Sequence, residues 1–174
     1  MLKILVGLIQ PTSGTVWYGD TNFTALNTKQ RKAIRTEMGM LFQGSALFDS
    51  MTVEENVRFP LDMFTKMPMS DKKDRVNEVL KRVNLVNANA KYPSQLSGGM
   101  QKRVALARAI IANPDLIFFD EPTTGLDPIT ADAVNNLIVE QVKALGAAAI
   151  TITHDMASVR KIALDPGCSG IHGV

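Results

Sequence analysis

The chain has a single cysteine, Cys168, in 174 residues. A disulfide within the chain is therefore excluded, and so is a thiolate metal cluster. Charge of either sign is in little excess: 19 basic against 17 acidic residues give a net charge of +2. So mild a bias makes no case for a nucleic-acid surface. Long hydrophobic runs are missing as well. None approaches the ~18–20 apolar residues a membrane helix needs. The nearest thing to a signal core, Met1 to Ile9, contains Lys3, runs into Pro11 and lacks a small-residue cleavage site. It reads as a helix, and the protein as cytoplasmic. A chain of this length is expected to form one α/β domain with a substantial core.

What is present concentrates between Gln95 and Asp127. Ser97-Gly98-Gly99 opens a helix-forming run, Met100 to Ala112, which Pro114 breaks. A serine and glycines at a helix start leave backbone N–H groups and a partial positive charge, an arrangement that binds phosphate. The burst Leu116-Ile117-Phe118-Phe119, bounded by Pro114 and Pro122, reads as a buried strand of a parallel sheet. It ends in adjacent carboxylates, Asp120 and Glu121. Carboxylates at the carboxyl end of such a strand lie where open α/β sheets bind ligands. One can hold Mg²⁺ through water, and the other can orient or deprotonate an attacking water.

Leu96-Ser97-Gly98-Gly99-Met100-Gln101 resembles the signature motif of ATP-binding-cassette (ABC) ATPases. Leu116 to Glu121 resembles their Walker B strand with its catalytic glutamate, and Gly125-Leu126-Asp127 their D-loop. Order and spacing match too. The resemblance implies a P-loop NTPase-like parallel sheet with an inserted helical subdomain, and ATP and Mg²⁺ as ligand and cofactor. Upstream, Met38 to Phe42 reads as a second buried strand ending at Gln43, which resembles the Q-loop glutamine. Downstream, Ala147 to Thr153 reads as a buried strand leading to His154, which resembles the switch histidine. By the resemblance, Glu121 polarises the attacking water, and Asp120, through water, and Gln43 hold Mg²⁺. His154 and Gln43 read the γ-phosphate. Ser97, Gly98 and Gly99 contact ATP bound on a second, head-to-tail ATPase subunit, and Asp127 communicates across that interface. His172 has no such context.

Between the strands, Val76, Val79, Leu80 and Val83 fit one helical face, with Ser70 or Asp71 as cap. Val134, Leu137, Ile138, Val142 and Leu145 repeat at helical spacing after Pro128 until Gly146. The expected divisions are 1–43 partial ATPase core, 44–95 helical subdomain, 96–163 signature helix to switch histidine, and 164–174 an irregular tail. Gln43-x-x-Ala46-Leu47-Phe48-x-x-Met51-Thr52-Val53, with Met100 after the glycines, resembles the ATPases of phospholipid-moving, lipid-asymmetry-maintaining importers. That implies a transmembrane permease as partner, the only link to the membrane. Leu47, Phe48 and Phe59 are candidates for permease contact or for ordinary core.

The family's phosphate loop, Gly-x-x-x-x-Gly-Lys-Ser/Thr, is not in the sequence. By the resemblance it would end just before Met1, so the chain is expected to be truncated there and, by itself, inactive.

Overall fold

The computed structural model describes residues 2–163; the expected tail, 164–174, with Cys168 and His172, lies outside the described residues. The order is α1 (Leu2–Leu5), β1 (Trp17–Tyr18), β2 (Thr21–Asn22), α2 (Thr28–Arg35), β3 (Met38–Leu41), α3 (Val53–Phe64) and α4 (Met69–Arg82). Then come α5 (Gly98–Ile110), β4 (Leu116–Asp120), α6 (Pro128–Leu145), β5 (Ala148–Ile152) and α7 (Met156–Ala163). Strands β1 and β2 form a small antiparallel hairpin. The main sheet is parallel, in the order β3-β4-β5, with Leu41 opposite Phe119 and Asp120 opposite Ile152.

Alternation along β4 explains its apolar run. Ile117 and Phe119 join the large core beneath α5 and α6, whereas Phe118 packs on the other face with Leu2 and Val6. A strand covered on both faces needs an apolar residue at every position, not every second one. Strand β5 departs from the expectation of a buried strand. Its central residues are only half-buried and Ala148 is exposed, because among the described residues β4 is its only neighbour in the sheet.

Helix α5 sits between α3, α4, α6 and β3. It begins two residues earlier than its composition suggests, because Ser97 caps it and both glycines lie inside its first turn. Gly39 on β3 is what lets α5 lie so close, since a Cβ there would stand 2.3 Å from the Ala109 carbonyl oxygen. Helix α3 starts at a capping box in which Thr52 and Glu55 exchange bonds. Neither Ser70 nor Asp71 caps α4. The Pro68 carbonyl accepts the first helical bond, from Lys72, which places both residues inside the first turn. Val76, Val79, Leu80 and Val83 are buried as predicted, as are Val134, Leu137, Ile138 and Val142, while Leu145 at the end of the predicted α6 face is only partly buried. Gly146, at φ 64°, ends α6 in the left-handed conformation that glycine adopts most cheaply.

Candidate functional site

Parallel pairing puts the carboxyl ends of β4 and β5 side by side, and the chain turns sharply there. Asp120 closes β4, half-exposed, opposite Ile152. The next residue, Glu121, donates its N–H to the Ile152 carbonyl at 2.8 Å and takes φ +49°. This left-handed turn brings its side chain back across the end of β5. Oε1 accepts from the backbone N–H of His154 at 3.0 Å, and the His154 Nε2 stands 3.7 Å from the same oxygen. Oε2 accepts from the Thr124 hydroxyl at 2.7 Å. Glu121 and His154, thirty-three positions apart, therefore converge. The carboxylate is 13% exposed and the imidazole 97%. A carboxylate held by fixed donors beside an open imidazole can take a proton from water while the histidine meets a ligand from solvent.

The first turn of α5 packs beside the loop that follows. A Cβ on Gly99 would lie 2.5 Å from the Thr130 methyl, and one on Gly98 would lie 3.3 Å from a Leu126 methyl. Ser97 Oγ accepts from the Met100 N–H. Asp127 caps α6, accepting from the N–H groups of Ile129 and Thr130 at 3.1 and 3.0 Å. Hydrogen bonding from Thr130, first through its side chain and then through its backbone, holds the Asp127 carboxyl below the usual carboxylate range. Gly98 thus packs against Leu126 and Gly99 against Thr130 in the first turn of α6, while Ser97 stays exposed.

Gln43 is exposed past the end of β3 and makes no hydrogen bond to Glu121 or His154. The chain beyond it passes through three consecutive left-handed residues, Gly44, Ser45 and Ala46. Arg108 of α5, 8% exposed, holds this turn by donating to the Ser45 and Ala46 carbonyls, both at 2.9 Å. Lys102, on the same helix, donates to the Glu121 carbonyl at 3.3 Å. Sequence reading misses Thr124, Lys102 and Arg108 as site builders. Only the Thr124 bond spans a local distance, three residues, that could have signalled it.

Among the described residues no three His, Cys, Asp or Glu side chains gather as a metal cage. Asp120 offers one half-exposed carboxylate. That fits Mg²⁺, which keeps several waters and takes further oxygens from phosphates.

A parallel sheet with a carboxylate pair ending one strand, a histidine ending the next and a glycine-started helix packed alongside has the α/β architecture of an ATP-binding cassette. The chain belongs to the ABC transporter family, whose model matches residues 1–124. It is 42% identical over 162 residues to the methionine import ATP-binding protein MetN of Carboxydothermus hydrogenoformans, covering 93% of this chain and 48% of that protein. It is 41% identical over 163 residues to the intermembrane phospholipid transport system ATP-binding protein MlaF of Escherichia coli, covering 94% and 61%. The chain thus spans about half the length of the methionine-import relatives. Among solved structures, the dimeric ATP-binding cassette MJ0796 in a post-hydrolysis state with ADP and Pi aligns with a TM-score of 0.82 at 33% identity, covering 92% of this chain and 71% of that one. The cbiO1 subunit of the ABC transporter complex cbiONQ from Clostridium perfringens aligns at 0.78 and 31% identity, covering 88% and 61%.

Proposed function

We propose that these residues belong to the ATP-hydrolysing subunit of a transporter that moves phospholipid, working on the cytoplasmic face of the membrane through a permease subunit. The observation that carries the catalytic part is the convergence of the Glu121 carboxylate with His154 at the ends of β4 and β5. In this reading Glu121 takes the proton of the attacking water. His154, with its ring in solvent, meets the γ-phosphate, and Gln43 approaches the same group from the end of β3. Asp120 and Gln43 would hold Mg²⁺, which neutralises phosphate charge. Ser97, Gly98 and Gly99 present the positive end of α5 to ATP on a second ATPase subunit, arranged head to tail. Asp127, at the neighbouring helix start, meets that subunit.

The lipid assignment rests on the segment from Gln43 to Val53, since identity to MetN and to MlaF is nearly equal. The permease contact is supported by an apolar groove of about 410 Å³ lined in part by Phe42, Phe48, Phe59, Pro60 and Phe64. Phe48 and Phe59 pack ring to ring at 4.8 Å along it. Of the three candidates for permease contact, these two line the groove, while Leu47 packs against the core.

The divisions at 43/44 and 95/96 follow the same reading: α3 and α4 form the helical insertion, whose α3 lines one side of this groove while β3 and α5 line the other, and α5 returns the chain to the sheet. The 174 residues hold no phosphate-loop lysine or loop amides, and such donors each matter by ~10²–10³ in rate. Purified alone, they should show no measurable ATP turnover; steady turnover abolished by Glu121→Gln would overturn that. Assembled with its permease in nanodiscs, the complete ATPase should change its turnover on addition of phospholipid and not of methionine. The reverse response would move the assignment to amino-acid import.

A further inference from the structure

Among the described residues three cations are buried, Lys72, Lys102 and Arg108, and Lys102 is the one that bonds to Glu121. It lies on α5, four residues and so about one turn beyond Gly98, and is 4% exposed. A lysine with so little access to water needs a partner to remain charged. Among the described residues no carboxylate oxygen comes within 4 Å of its ammonium. Its hydrogen-bond acceptor is the backbone carbonyl of Glu121. Burial pushes the Lys102 ammonium below the ordinary lysine value, and the Glu121 charge pushes it back up.

The Glu121 peptide is an unusual thing to hold. A glutamate at φ +49° lies where L-residues are crowded, and such a conformation persists only when its surroundings over-determine it. Its N–H is fixed by the Ile152 carbonyl and its two carboxylate oxygens by His154 and Thr124. The carbonyl accepts from the Thr124 N–H at 3.4 Å within the turn itself, and the ammonium of α5 adds a second donor at 3.3 Å from a different element. We propose that Lys102 is a positioning residue: by gripping the Glu121 carbonyl it locks the left-handed turn that lays the carboxylate on His154 and Thr124, and it ties that turn to the signature helix. The proposal rests on the role given to Glu121 above. Its consequence is specific. The first turn of α5 faces the ATP of a second subunit, while Glu121 acts on the ATP of its own, so Lys102 joins the two nucleotide sites through one chain.

The test is NMR of the isotope-labelled chain at one fixed pH, reading the His154 and Thr124 backbone amides, whose partners are the Glu121 carboxylate and carbonyl. Lys102→Met should shift both amides and speed hydrogen exchange at His154 several-fold, as loosening of a local turn does. Lys102→Arg, which restores the donors, should return both signals toward wild type. A folded Lys102→Met protein with both amides and the His154 exchange rate unmoved overturns the proposal. If Lys102→Met does not fold, the reciprocal measurement decides. Glu121→Gln should lower the Lys102 side-chain midpoint, and an unchanged midpoint overturns the coupling. Failure of the functional reading looks different: a complete ATPase would turn over normally with Glu121→Gln while the coupling between Lys102 and Glu121 persisted.

Discussion

The first turn of α5 is small, polar and partly exposed; its last two turns are apolar and sealed. Ser97 and Gly98 face solvent, whereas Val104, Leu106 and Ile110 are fully buried. The same helix therefore has an open N-terminus and is also the central pillar of the core. The two ends differ in what fixes them. The first turn is held by steric fit, Gly99 against Thr130. The last two turns are held by apolar packing and by Arg108, whose guanidinium lies 5.9 Å from the Phe48 ring centre while it bonds the Ser45 and Ala46 carbonyls. The helix is thereby bonded both to the Glu121 turn and to the turn that follows Gln43.

The largest effect should come from breaking the sealed end. Arg108→Met keeps much of the apolar stem but leaves the turn at Ser45 and Ala46 without its donors. Removing one partner of a buried bond costs the desolvation of the other, so a loss of about 2 kcal/mol is expected. Chemical denaturation measures it, and amide exchange in residues 43–48 should rise more than in β4. Equal loosening of both segments would mean that Arg108 supports the core generally and not this turn.

Breaking the open end should cost less. Gly99→Ala gains roughly 0.5–1 kcal/mol of helix propensity but pushes a methyl into Thr130, and overpacking typically costs about 1–3 kcal/mol. The Thr130 side chain is β-branched and stiff in a helix, so the clash should win and the net loss be about 1 kcal/mol. Thr130→Ser removes the offending methyl. The double variant should recover most of the loss, and a double-mutant cycle reads the coupling directly. Additivity of the two changes would show that Gly99 is not held by Thr130.

This contrast also marks what the sequence could reveal. Strand β4, the helical faces of α4 and α6, and the stop at Gly146 depend on local periodicity and local backbone preference, and all are legible. Glu121 and His154 are legible because parallel strands end together, so two residues that follow strands become neighbours. Lys102 and Arg108 are different. Arg108 reaches across 62 and 63 positions to its acceptors, and Lys102 across 19 to a carbonyl that exists in every residue. No side-chain pattern encodes a bond whose acceptor is backbone. The half-exposure of β5 was equally hidden, because apolar composition shows that a strand suits a sheet and not how many neighbours it has there. At α4, Ser70 and Asp71 have the right chemistry for a cap, but the Pro68 carbonyl starts the helix first.

The smallest effect belongs to the helix next door, and it can be read with acid. Asp127 caps α6, and its hydrogen bonds from Thr130 and Ile129 favour the ionised form. A carboxyl whose folded pKa is depressed adds stability that is complete above the unfolded value of about 3.9 and is lost as pH falls through the lower folded value. Asp127→Asn keeps a good cap without the charge. Between pH 6 and the acid limb, the wild-type denaturation midpoint should therefore fall more steeply than that of Asp127→Asn, while Glu55 and Asp62, also depressed, contribute equally to both. Parallel curves would show that Asp127 is held by geometry alone. That would leave its charge unused by the fold and available to the subunit it is proposed to meet.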